Sequence, residues 1–453
     1  MAAEAKVSMT EGPLLGVLVR VAVPIVLSNL LTAAYQVVNA LFVGRLGAQA
    51  IAAVAASGPI FYVLVSLGSG LSTAGSVLIA QYTGARRSDG VDHIAAQTLL
   101  MVAGVAAGFA LFGVLTSRPL LHAIGIDPPL EALTAHYLDI SYLGMVPLFG
   151  FMAVQGMLQA VGEVRFAFRV MLASVLINAA LDPLFIFVFG WGVAGAAIAT
   201  VTAQVTALGL GLWRILSGKS ALHLKRGHFR PDLTHMRQAF GIGLPASIEQ
   251  ATRTFGSLVL MSIAAQFGTK ALATYGMGTR VMFFFFTPIM GLSAATAAVV
   301  GQNIGAGRMD RAEAAGRLCA WLSFGLLTGI GLLLIPSAPW IMGAMTPGEP
   351  DLIHSASVFV YIFAPSLGLT AVAQVLLGVF RGAGSTRQSM GISLFMQWGV
   401  QLPSAWILAF LTPVGVLAVW WSYPLANAVA SVIGIIWFMK GPWRRTLVSR
   451  QAE

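Results

Sequence analysis

Apolar residues in this chain come in long blocks, not in the alternation of a half-buried strand or the narrow stripe of a surface helix. Twelve blocks reach spanning length, at roughly residues 14–43, 50–80, 92–116, 132–160, 165–189, 192–216, 236–266, 271–300, 312–343, 352–379, 386–411 and 413–439. A helix crossing a bilayer needs about 20 mostly apolar residues, so each block reads as one membrane span. The pattern predicts an all-α polytopic membrane protein with twelve transmembrane helices. The first block is too long for a cleavable leader, and no cleavage pattern separates it from the second.

The blocks also repeat. Gly70-Leu71-Ser72 leads a helix that exits through Ala80-Gln81-Tyr82-Thr83-Gly84-Ala85-Arg86-Arg87-Ser88-Asp89, and Gly291-Leu292-Ser293 leads one that exits through Gly301-Gln302-Asn303-Ile304-Gly305-Ala306-Gly307-Arg308-Met309-Asp310. The same offset of 221 residues maps Pro24 onto Pro245, Gly47 onto Gly268 and Ala50 onto Ala271. A duplicated apolar half implies two pseudo-symmetric lobes of six helices meeting at an axis, with a central cavity between them, which is the plan of a transporter. The division expected is an N-terminal lobe over 1–213, a linker over 214–235, a C-terminal lobe over 236–440 and a tail over 441–453.

Composition sharpens the class. At 57% hydrophobic and 9% charged, with a mean hydropathy of +0.84, the chain is not a soluble globular protein. A net charge of +10 would suit a nucleic-acid partner, but its distribution argues for membrane topology instead. Of the loop lysines and arginines, 21 fall on one side, among them Lys6, Arg86, Arg87, Arg308, Arg381, Arg445 and Arg450, whereas Arg45, Arg118 and Lys270 alone fall on the other. The positive-inside rule then puts both termini in the cytoplasm. Lone Cys319 gives no disulfide framework and reads as a packing residue.

Ionisable groups inside the blocks are costly and therefore candidates for function. Asp182 is the carboxylate of the first half and Glu249 that of the second, with Arg253 and Arg280 as the cations. Asp182 lies about 17 residues, or roughly 25 Å, into an outward-running helix. Asn178 is one turn earlier on the same face, and Thr200 and Asn39 reach a similar depth on neighbouring helices. A carboxylate, two amides and a hydroxyl suit H⁺ or a hard monovalent cation such as Na⁺, with no other metal implied. Glu249 and Arg253 have the spacing of an intrahelical pair, in a substrate or coupling role or simply neutralising each other. Tyr35, Gln155, Gln159, Met157 and Met171 are candidates for lining a cavity in the first lobe. Pro24 removes a helix hydrogen bond on the helix that carries Asn39 and is a candidate hinge.

The motifs resemble those of the multidrug and toxic compound extrusion (MATE) family, closest to its DinF-like prokaryotic branch. The resemblance rests on Pro24, Ala34-Tyr35-Gln36-Val37-Val38-Asn39, Val43-Gly44-Arg45-Leu46-Gly47, Asn178-Ala179-Ala180-Leu181-Asp182-Pro183, the Gly192–Thr200 helix start and Val299–Arg308. It implies a monomeric antiporter in the bacterial inner membrane, in contact with lipid, exporting amphipathic and mainly cationic small molecules against H⁺ or Na⁺, with Asp182 as coupling group. Asn39 departs from the aspartate usual there, and an amide does not ionise. The NorM-like branch carries a glutamate and a partner aspartate in the second lobe, yet no Asp or Glu stands between Asp351 and Glu453. Other readings are a lipid-linked oligosaccharide flippase of the same superfamily, or an uncoupled or sensor relative. An embedded enzyme is not expected, because no His-Glu-x-x-His or comparable set occurs, and neither a cofactor motif nor a nucleotide loop is present.

Overall fold

Backbone N–H and C=O groups go unpaired in hydrocarbon unless a segment satisfies its own bonds, so long apolar runs fold as helices. The computed structural model describes residues 7–444 and 447 and contains no strand among them. Lys6, Arg445 and Arg450 of the charge count lie outside the described residues. The first half consists of α1 (Leu14–Gly44), α2 (Ala48–Gly84), α3 (Ser88–Ile124), α4 (Pro128–Leu143), α5 (Met145–Ala160), α6 (Val164–Pro183) and α7 (Gly192–Leu216). The second consists of α8 (Leu233–Ala265), α9 (Thr269–Gly305), α10 (Met309–Met345), α11 (Pro350–Phe363), α12 (Leu367–Gly382), α13 (Thr386–Leu394), α14 (Leu402–Leu411) and α15 (Leu417–Lys440).

These segments make twelve transmembrane helices in two lobes. Helices α4 and α5 form one span bent by 42°. A 3₁₀ turn (Ala364–Ser366) joins α11 to α12, and a π-helical turn (Phe395–Gln401) joins α13 to α14. Ten rods are long and apolar enough to cross a membrane, and the bent pair makes eleven. The twelfth is α8, whose apolar run is interrupted by Glu249 and Arg253 but which carries Pro245 where α1 carries Pro24.

The repeat is accurate to the residue over much of its length. Helices α2 and α9 are both 37 residues, as are α3 and α10. Gly47 and Gly268 cap α2 and α9 with φ of 96° and 93°, a conformation that favours glycine. Gly70 and Gly291 do not begin helices: each sits mid-helix, in close contact with the opposite lobe. A Cβ on Gly70 would overlap Gly243 and Ser247 of α8, and one on Gly291 would press on Val26 of α1. Further along, a Cβ on Gly84 would overlap the carbonyl of Gln302, and one on Gly305 that of Gln81. Buried Gln81 and Gln302 then cross the axis, donating to the carbonyls of Gly382 (3.0 Å) and Ala160 (2.6 Å).

Helix α1 belongs to both lobes. Val17, Leu18, Val21 and Ile25 pack into a core built with α9, α10 and α12. Toward its C-terminal end the helix runs beside α6 and α7, with Val43 packed on Ile186, Val193 and Ala196. Ahead of α1, buried Met9 joins the second-lobe core while the Val7 amide bonds to the Gly162 carbonyl of the first lobe.

Candidate functional site: a buried acid without donors

Asp182 is fully buried near the end of α6, and Asn178, 2% exposed, stands one turn before it on the same face. Pro183 follows, so the carbonyl one turn back receives no helical hydrogen bond from it. The helix then widens into a π-helical turn (Leu184–Val188), a distortion often found at functional positions. Both carboxylate oxygens of Asp182 and both amide atoms of Asn178 are buried without a hydrogen-bond partner. Buried polar groups are nearly always paired, so four unpaired atoms on one helix face call for an explanation.

Two neighbouring helices complete the surroundings. The Tyr35 hydroxyl of α1 lies 2.7 Å from Thr200 Oγ1 of α7, and Asn39 Nδ2 donates to that tyrosine oxygen at 3.4 Å. Asn39 Oδ1 is again a buried acceptor without a donor. Tyr35 and Tyr137 both lie near Asp182. The set offers oxygen acceptors in excess of hydrogen-bond donors, an arrangement that suits a proton or a small hard cation.

The second lobe treats its acid differently. Glu249, 2% exposed, accepts from Arg253 Nη2 at 2.9 Å and from the Ser389 hydroxyl at 2.6 Å, with Arg381 Nη1 at 3.9 Å. Arg253 also donates to Gln374 Oε1 (3.0 Å), and its guanidinium lies 6.0 Å from the Phe286 ring. Arg381 donates to the Ser293 hydroxyl at 2.9 Å, which in turn donates to the Gln374 carbonyl. Here the carboxylate is enclosed by donors.

Between the lobes lies a cavity of about 310 Å³. Gln155 and Gln159 of α5 line it, together with Asn29, Ser72, Gln250, Met290 and Arg381. Met157 and Met171 do not. Met157 is fully buried in the first-lobe core, and Met171 packs with Phe151, Val170 and Ala207, so both correct the expectation of cavity lining. Glu249 and Arg253 stand behind the cavity wall, in the network that Arg381 joins.

The MatE family model matches residues 24–184 and again 245–407, one copy in each half and starting at the two equivalent prolines. The chain belongs to the MatE family. It is 28% identical, over 94% of both chains, to a protein of Bacillus subtilis named probable multidrug resistance protein YoeA. It is 24% identical, over 94% of both chains, to the multidrug export protein MepA of Staphylococcus aureus. A crystal structure of MATE in complex with MaL6 has the same fold, with a TM-score of 0.92, 23% identity, and coverage of 96% of this chain and 98% of that one.

Residues of this MatE chain that escaped the sequence reading include Tyr137 of α4, which lies near Asp182, and Arg381, counted as a loop cation, which lines the inter-lobe cavity. The repeat could have exposed Arg381: aligning Gly162 with Gly384 places it opposite Gln159, another lining residue.

Proposed function

We propose that this protein is a secondary antiporter that exports amphipathic organic compounds, mainly cationic, in exchange for H⁺ or Na⁺ bound at Asp182. One observation carries the reading: Asp182 is fully buried with no donor on either oxygen, while Glu249 is enclosed by donors. Burying an unpaired carboxylate costs several kcal/mol, about what a bound proton or cation relieves. Asn178, Asn39 and Thr200 serve as neutral partners, and Tyr35 ties α1 to α7 beside them. The names of the relatives support drug export over lipid-linked oligosaccharide flipping. The cavity between the lobes is the substrate chamber, and ion binding at Asp182 favours one cavity shape while substrate favours the other. The chain works as a monomer in lipid, with both termini in the cytoplasm of a bacterial cell.

The test is efflux of a fluorescent lipophilic cation from proteoliposomes under an imposed pH or Na⁺ gradient. Parent protein exports along one of the two gradients, and that gradient names the ion. Asp182→Asn abolishes gradient-driven export while keeping the fold. Export that persists in Asp182→Asn overturns the assignment and moves coupling to Glu249.

A further inference from the structure

A second cluster lies where the linker enters the second lobe. His93 Nε2 of α3 lies 3.2 Å from Asp232 Oδ2, and His235 Nδ1 of α8 lies 2.8 Å from the same oxygen. The two imidazole rings meet edge to face with centroids 4.8 Å apart, and all three ligand atoms fall within 4.8 Å of one another. All three residues are half-buried.

The surroundings hold these donors in place. Asp232 is the N-cap of α8, and its Oδ1 accepts from the amides of Thr234 (2.9 Å) and His235 (3.3 Å). The cap thereby leaves Oδ2 to the histidines. Gln97, one turn after His93 on α3, is buried and grips the linker backbone. Its Nε2 donates to the carbonyls of His228 and Arg230, both at 2.7 Å, and its Oε1 accepts from the Asp232 amide at 3.0 Å. Asp92 accepts from the His223 amide at 2.7 Å. Backbone amides therefore hold the carboxylate, and Gln97 and Asp92 hold the linker backbone beside it, so the frame of the site rests on groups that are not themselves ligands.

We propose that His93, Asp232 and His235 bind a divalent first-row transition metal, Zn²⁺ foremost, which staples the start of α8 to α3 and so joins the two lobes at the linker. Metal bonds of about 2.0–2.1 Å in a tetrahedron place ligand atoms roughly 3.3 Å apart, close to the two separations found here. Two imidazoles and one carboxylate select such ions over Mg²⁺ or Ca²⁺, which prefer all-oxygen shells. Water takes the fourth position. Binding requires both rings neutral at the ligating nitrogens, so it releases whatever protons they carry.

The test is calorimetric titration of Zn²⁺ into the full chain in detergent, with any polyhistidine tag removed and metal stripped by chelator. One saturable equivalent is expected, with a Zn²⁺-dependent rise in thermal midpoint. His93→Ala weakens binding at least about tenfold, the loss that even an outer partner produces. Asp232→Asn does the same while preserving the helix cap, since asparagine caps as well as aspartate. It therefore decides the matter if the histidine variant folds poorly. His136→Ala, on exposed α4 surface, leaves binding unchanged. Non-saturable binding in the parent, or parental affinity in Asp232→Asn, overturns the proposal.

Discussion

Asp182 and Glu249 are the most completely buried carboxylates of the two lobes among the described residues, and they are surrounded in opposite ways. Glu249 has two arginines and a serine hydroxyl around it, whereas Asp182 has tyrosine, asparagine and threonine nearby and a donor on neither oxygen. A satisfied ion pair holds helices in one arrangement, and an unsatisfied acid is poised to change partners. The largest predicted effects break this contrast. Glu249→Gln strands Arg253 and Arg381 in the protein interior, and removing one member of a buried pair costs about 3–5 kcal/mol. Asp182→Asn removes a charge that nothing compensates, so stability holds or rises while gradient-driven export is lost. Thermal unfolding in detergent, beside the efflux assay, reads both. A large fall in the Asp182→Asn midpoint would show that the first-lobe acid is structural after all.

The lobes are alike where they touch, and the next effect tests that likeness. Gly84 and Gly305 each lie against a glutamine carbonyl of the other half. Neither carbonyl is the end of a flexible side chain, so the backbones must part to admit a methyl group. Overpacking of this kind costs about 1–3 kcal/mol, and Gly84→Ala and Gly305→Ala should each lower stability by similar amounts. Unequal losses would mean that one lobe bears more of the contact than the symmetry implies.

The prolines come next. Pro24 lies within the part of α1 packed on the second lobe, ahead of the part beside Asp182, so a bend there moves Asn39 and Tyr35 relative to the acid. Pro24→Ala is expected to slow export several-fold without altering the thermal midpoint, and unchanged export would remove the hinge. Asn39→Asp sharpens the same comparison from the other side. Two interacting carboxylates lose their protons in two coupled steps, so the pH profile of export should broaden or split.

Much of this was legible in the chain because bilayer physics writes long signals. Span length and the 221-residue offset are written in the residues themselves, and both survive into the helices, whereas Gly70 and Gly291, read as leading helices, are mid-helix contact points with the other lobe. What escaped depends on distant partners. Nothing near Arg381 announces that it turns toward Glu249, 132 residues away in sequence, or that Ser389 reaches the same carboxylate. Met157 and Met171 have the composition of a drug-binding wall and the burial of ordinary core, a distinction that periodicity alone does not make. The 42° bend between α4 and α5 falls at Gly144, inside what reads as one apolar block. His93, Asp232 and His235 lie in two helices and a linker, at spacings that match no metal-binding pattern.

The smallest effect concerns one position where the halves differ in kind. After α2 the chain turns through Arg86 at φ 58°, and after α9 its counterpart Gly307 does so at φ 70°. Arg86 is the non-glycine residue with positive φ among the described residues. A side chain in this left-handed region costs roughly 1–2 kcal/mol, and glycine avoids that cost but loses about 0.5–1 kcal/mol more in chain entropy. The Arg86 guanidinium returns little, because its pair with Glu11 at 3.2 Å is exposed at both ends, and such pairs contribute about 0–1 kcal/mol. Arg86→Gly should therefore be neutral to stabilising by about 1 kcal/mol at most, whereas Gly307→Arg should destabilise by about the same amount. Paired melting curves of the two variants decide it. Should Arg86→Gly melt clearly below the parent, the Glu11 contact holds the segment ahead of α1 onto the first lobe more firmly than its exposure suggests, and that segment then acts as a strap across both lobes.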